Sequence, residues 1–112
     1  MIEISEERFE EMVGEALDTL PPELARVMRN VVVVVEDGTD LHLLGLYEGI
    51  PLTERLSDYS AVLPDKITIY RRAICAHCDT EADVVDEVQT TVVHEVGHHF
   101  GIDDNRLHEL GW

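Results

Sequence analysis

A long amphipathic helix near the end of the chain limits the possible folds more than any other segment. Thr80 and Asp83 form a capping-box pattern, which is typical of a helix start. Apolar residues then recur on one broad face: Val84, Val85, Val88, Val92, Val96 and Phe100. Gly101 follows, and glycine commonly ends a helix where the chain turns. The sequence therefore predicts one helix over about 83–100 that packs on a core.

Two histidines lie at the edge of this apolar face. His94 and His98 are four residues apart, and positions 94–104 read H-E-x-x-H-x-x-G-x-x-D. At about 100° per residue the two imidazoles lie roughly 40° apart around the helix, so both can reach one metal ion. Glu95 lies beside the first histidine, where a carboxylate can take a proton from water. The spacing predicts a zinc site.

A third ligand is needed, because a catalytic zinc has three protein ligands and a water. Gly101 lets the chain reverse toward the metal. Asp104 is the ligand that this spacing favours, and Asp103 and His108 are the nearby alternatives. Zinc is therefore the cofactor that the sequence predicts, with His94, His98 and Asp104 as its ligands.

The N-terminal third predicts a second amphipathic helix. Ser5 is a reasonable N-cap, and Pro21 and Pro22 stop the helix before a short one over 23–28. The apolar stripe of the first helix consists of Phe9, Met12, Val13, Ala16, Leu17 and Leu20. Acidic residues occupy most of its other side. A helix of this kind packs its stripe on a core.

Two strands are predicted between the helices. The β-branched run over 31–35 ends at a turn signal and predicts a buried central strand. Residues 67–70 alternate between apolar and polar and predict a second, half-exposed strand, which could pair edge to edge in a dimer. Between them, positions 39–66 are mostly loop, with a short strand near 41–47 packed on the core. Strands and helices together predict an α+β fold.

Size and charge restrict the function classes. With 112 residues, the chain is expected to form a single domain over 1–112. No apolar run approaches the roughly 20 residues that span a bilayer, and no signal peptide is recognisable, so we expect a cytoplasmic protein without a membrane partner. Acidic residues outnumber basic ones 24 to 8, giving a net charge of −16. This charge opposes binding to nucleic acid.

Cys75 and Cys78 form a single C-x-x-C pair. A structural zinc ribbon requires a second such pair, and a thioredoxin-like site requires a βαβ setting that is not evident here. We therefore favour a packing role for both cysteines. A redox role, an accessory metal site and a disulfide remain alternatives.

The helix motif resembles that of the zincin metallopeptidases, in the variant of the metzincin-type pattern with aspartate in place of the third histidine. The length, the acidic character and the segment from Leu44 to Arg55 are similar to a family of small bacterial zincin-like metallopeptidases. The likeness extends over essentially the whole chain. It implies a minimal zincin-like core, in which a small mixed sheet packs on an N-terminal helix and a C-terminal zinc-binding helix.

This resemblance implies a zinc-dependent hydrolase with a peptide or protein substrate. His94 and His98 would bind zinc, Glu95 would be the catalytic general base and Asp104 the third ligand. Residues 67–71 could form the edge strand along which an extended peptide lies. Candidates for stabilising the oxyanion are Tyr70, His77, His108 and Tyr47.

Two other classes of function remain open at this point. In a non-catalytic zinc module, His108 or Cys78 would close the site as a fourth protein ligand, although such a site does not need Glu95. A metal-dependent nuclease of the ribosomal-RNA-maturation type has similar ligand spacing, but it lacks the glutamate and uses a third histidine. The net charge of −16 also opposes RNA binding.

Overall fold

The computed structural model describes residues 1–49, 65–102, 104–109 and 111, with the backbone alone at positions 27 and 104. The elements in chain order are α1 (Glu6–Asp18), α2 (Pro22–Val27), a 3-10 turn (Met28–Asn30), β1 (Val31–Glu36), β2 (Gly45–Glu48), β3 (Asp65–Tyr70), α3 (Arg71–Ala76), α4 (Glu81–His99) and α5 (Asp104–Glu109). The α+β prediction is confirmed. Within the described residues no helix is long and apolar enough to cross a membrane.

Helix α1 packs on α4 and supplies much of the core. Ser5 caps its first turn by accepting a hydrogen bond from the backbone N–H of Arg8 at 3.2 Å. Its predicted stripe is buried except for the partly buried Leu17, and Phe9 and Met12 are fully inaccessible to solvent. The Arg8 guanidinium also lies 3.0 Å from Glu81 at the start of α4. The two helices therefore meet through an apolar face with an ion pair at its rim.

The three strands form a mixed sheet in the order β1-β3-β2, with β1 parallel and β2 antiparallel to β3. The predicted places of the two longer strands within the sheet are wrong. The 67–70 segment belongs to the central strand, where Ile67 and Ile69 are fully buried and Thr68 is 1% exposed. The 31–35 run is a partly buried strand beside it. Because β3 lies between two partners, it has no free edge for dimer pairing or for a peptide.

The short strand expected between the longer strands is β2. Gly45, its first residue, lies so close to α4 that a Cβ atom there would be 2.7 Å from Cγ2 of Thr91. The same Cβ would be 3.2 Å from the backbone oxygen of Thr68. Gly45 therefore lets β2 approach α4 closely. The chain at this point forms one side of a cleft beside α4.

Helix α3 begins directly after β3 and was not predicted. Its N-cap, Tyr70, makes no side-chain capping bond, so the sequence carries no start signal there.

Cys75 and Cys78 are free thiols buried in the core, which supports the packing interpretation. Burial raises the pKa of the Cys75 thiol. Burial, followed by the charge of Glu87, raises the pKa of Cys78 to about 11.

Candidate metal centre and adjoining cleft

Helix α4 carries the predicted motif in a fixed orientation. Thr80 accepts a hydrogen bond from the Asp83 backbone N–H at 3.1 Å, and the Asp83 carboxylate accepts one from the Thr80 backbone N–H at 3.2 Å. The expected capping box is therefore present. Burial of Val84, Val88, Val92, Val93 and Val96 turns the valine face into the core. The edge of α4 that bears the histidines therefore lies at the border of the core.

His94 and His98 lie together at the C-terminal end of α4. Their ring centroids are 6.0 Å apart and their planes are inclined by 82°. Zinc binds imidazole nitrogens at about 2.0–2.1 Å, so two rings on one tetrahedral ion have centroids about 5–6 Å apart. The separation of the two rings therefore matches the separation expected in a zinc site.

The chain reverses just after the pair. Gly101 has a φ of +79°, a left-handed conformation that glycine adopts without penalty. Its N–H donates to the His98 carbonyl at 3.1 Å, and the Ile102 N–H donates to the Gly97 carbonyl at 2.7 Å. These two bonds form a Schellman motif. The turn therefore directs the following residues back along the side of α4.

Helix α5 packs on α4 at Gly97, near the histidine pair. The Leu107 side chain is fully buried, and a Cβ atom at Gly97 would lie 3.2 Å from its methyl groups. The absence of a side chain at Gly97 thus allows the close approach of α5, whose first residue is Asp104. The Asp104 side chain and the whole of Asp103 lie outside the described residues.

His108 and Cys78 do not join the histidine pair. Among the described residues, no group of three or more His, Cys, Asp or Glu side chains is close enough together to hold a metal. Both residues belong to the described part: His108 is exposed, and Cys78 is buried. The alternatives in which either completes the site therefore have no support in the geometry.

A cleft of about 380 Å³ adjoins the pair, between α4 and the chain that leads into β2. Its described lining is His42, Leu43, Leu44, Gly45, Glu87, Thr90, Thr91, His94 and Glu95. Glu95 is half-buried. Cavities of this size are in the usual range for ligand sites. The candidate base and the first histidine therefore open onto one cleft.

None of the four predicted oxyanion-stabilising residues lines this cleft. The Nε2 atom of His77 lies 3.0 Å from the backbone oxygen of Leu41, and the Tyr47 hydroxyl donates to the Asp65 carboxylate at 2.8 Å. His42 is in the cleft wall and was not among the predicted site residues. Its only sequence signal is a position just before a short strand.

Tyr47, Asp65 and His99 form a second polar cluster, near the end of α4. The Tyr47 and His99 rings are stacked with centroids 4.0 Å apart. The Nε2 atom of His99 lies 3.5 Å from the Asp65 carboxylate, whose side chain is only 8% exposed. This cluster joins β2 and β3 to the last turn of α4 and so holds the helix end against the sheet. It was not predicted, because its members are distant in sequence.

One comparison with known proteins gives a match. The family model described as zincin-like metallopeptidase matches residues 28–112, which include the strands, α4 and the turn after it. No protein with a curated description matches the chain.

Proposed function

Because the chain belongs to the zincin-like metallopeptidase family, we propose that it is a zinc-dependent hydrolase that cleaves peptide bonds. His94 and His98 would bind zinc, and Glu95 would be the general base. The observation that carries this proposal is the paired imidazoles, 6.0 Å apart, beside a cleft that Glu95 also lines.

Glu95 is the residue that we propose for proton transfer. Zinc, when bound, lowers the pKa of water toward about 7 and polarises the scissile carbonyl. Glu95 is the residue next to His94 and is half-buried in the cleft wall. Its carboxylate would accept the proton from the attacking water and pass it to the leaving amine. A purely structural zinc site would not require this carboxylate.

The substrate would lie along β2 instead of the 67–71 segment. Within the described sheet, β2 pairs with β3 on one side only, so its other edge can bind an extended peptide by main-chain hydrogen bonds. Gly45 brings this strand against Thr91 of α4, one helical turn before the metal motif. A peptide on this edge would therefore pass alongside the motif.

Asp104 remains the proposed third ligand. The turn at Gly101 and the packing of Leu107 on Gly97 return the backbone of α5 to α4. We expect Asp104→Ala to weaken zinc binding far more than Asp103→Ala, measured by calorimetric titration of the metal-free proteins. The reverse order would contradict the choice of Asp104.

The general-base role is tested by Glu95→Gln, which keeps the shape of the side chain. The variant should bind zinc as the wild type does and lose at least about 100-fold in peptide hydrolysis, assayed with a fluorogenic peptide library. Asp86→Asn is the matched control, because Asp86 is exposed on the same helix and does not line the cleft.

The outcomes separate the proposal from its rivals. Full activity in Glu95→Gln would show that the base assignment is wrong. A wild-type protein that binds zinc stoichiometrically but hydrolyses no peptide would instead support the non-catalytic zinc module.

A further inference from the structure

We propose that Glu87 selects substrates with a lysine or arginine on the C-terminal side of the cleaved bond. This inference rests on the proposed peptidase function and specifies its substrate class. Glu87 is half-buried and lines the cleft together with Glu95. Of the described residues that line it, two are carboxylates and none is Lys or Arg. The wall therefore presents negative charge to the substrate.

The Glu87 carboxylate is available to a ligand. It forms no hydrogen bond or ion pair in the described part of the chain, whereas the exposed Glu81 on the same helix is bound by Arg8. A half-buried carboxylate is stabilised by a cation brought close to it. Because the surrounding charge of the protein is also negative, a cationic side chain is the complementary occupant.

Thr91 provides an independent sign that the cleft wall is polar. It lies between Glu87 and Glu95 on the helix and lines the same cleft, yet it is only 7% exposed. Its hydroxyl oxygen has no hydrogen-bond partner in the described structure. Buried hydroxyls without a partner are rare in folded proteins, and an additional polar partner such as water is one physical reason for them.

The direction of β2 along α4 sets the direction of a peptide that pairs antiparallel to this strand, which is the arrangement we propose. Gly45 lies beside Thr91, and a Cβ atom at Gly49 would be 3.0 Å from His99, so β2 and α4 run the same way. A peptide antiparallel to β2 would therefore run from the His99 end toward the Thr91 end. Residues after the cleaved bond would approach Glu87.

The helix geometry places this contact close to the reacting bond. Glu87 precedes His94 by seven residues, which is about 10 Å along a helix and about three residues of extended peptide. The long side chain of a Lys or Arg can extend along the cleft to reach Glu87. We therefore expect the preference at the first to third residues after the cleaved bond.

The test uses fluorogenic peptides that differ at one position, which holds Lys, Gln or Glu and is moved along both sides of the cleaved bond. We expect wild-type protein to favour Lys over Gln by about fivefold in kcat/KM on the C-terminal side. Glu87→Gln should abolish this ratio, and Glu87→Lys should reverse it toward Glu. Asp86→Asn removes the same charge from an exposed neighbour and should leave the ratio unchanged.

A binding measurement separates this inference from the peptidase proposal. Zinc-loaded Glu95→Gln and the double variant Glu95→Gln/Glu87→Gln are titrated with labelled Lys and Gln peptides, followed by fluorescence anisotropy. Lys selectivity that depends on Glu87 supports the inference even if the wild type cleaves nothing. A Lys preference that survives Glu87→Gln, one found only before the cleaved bond, or no preference at all would overturn it.

Discussion

Gly45→Ala should destabilise the protein through one identifiable contact. Gly45 begins β2 and has no positive φ, so alanine meets no backbone penalty there. The new Cβ would lie 2.7 Å from the Thr91 methyl carbon, whereas carbon atoms in contact are usually about 3.5–4.0 Å apart. The strand and α4 must therefore separate at the cleft.

The expected cost can be worked out from two opposing contributions. Overpacking of a well-packed site costs about 1–3 kcal/mol. Replacing glycine by alanine in a strand recovers roughly 0.5–1 kcal/mol. The net loss in unfolding free energy should be about 0–2.5 kcal/mol, measured by urea denaturation. Gly14→Ala is the matched control: nothing lies within 4 Å of its Cβ position in α1, so it should stabilise by about 0.5–1 kcal/mol.

A double-mutant cycle identifies the contact. Thr91→Ser removes the methyl group that the new Cβ would meet and keeps the hydroxyl. In that background, Gly45→Ala should cost at least about 1 kcal/mol less, although the 3.2 Å approach to the Thr68 backbone oxygen remains. Additive effects, or a stabilising Gly45→Ala, would refute the close approach of β2 to α4.

Four further perturbations test other parts of the structure. Tyr47→Phe removes the hydroxyl that donates to Asp65 and should cost about 1–2 kcal/mol in urea denaturation; a cost below about 0.5 kcal/mol would contradict the geometry. Leu107→Ala leaves α5 without its buried anchor and should weaken zinc binding at least about tenfold in calorimetry, because Asp104 is the proposed third ligand; unchanged affinity would contradict that coupling. Cys75 and Cys78 should resist a thiol reagent at pH 8 until the protein is unfolded. Because the pKa of Cys78 is raised from 9.0 to about 11, its buried neutral thiol contributes fully to stability below pH 9. This contribution should be lost as the pH rises to about 11. Constant stability across that range would contradict the burial.

The helices could be predicted because their signals are local. The capping box at Thr80, the cap at Ser5 and the spacing of His94 and His98 all depend on residues within one or two turns. Helix α3 was missed because Tyr70 begins it without a side-chain cap.

The strand order could not be predicted because periodicity reports which side chains are apolar and does not report which strands pair. Thr68 breaks the apolar run of β3, yet it is buried in the central strand. The second wall of the cleft depends on this order, since His42 and Gly45 meet α4 only when β2 pairs with β3. The cluster of Tyr47, Asp65 and His99 depends on it in the same way.

The most direct test of a zinc-dependent peptidase is a crystal structure of the zinc-loaded protein with anomalous diffraction at the zinc edge. We expect one zinc ion with imidazole nitrogens of His94 and His98 at about 2.0–2.1 Å, Asp104 as the third protein ligand and water in the fourth position. Glu95 should be within hydrogen-bond distance of that water. A zinc ion coordinated by four protein ligands, or one bound away from the histidine pair, would contradict the proposed catalytic zinc site.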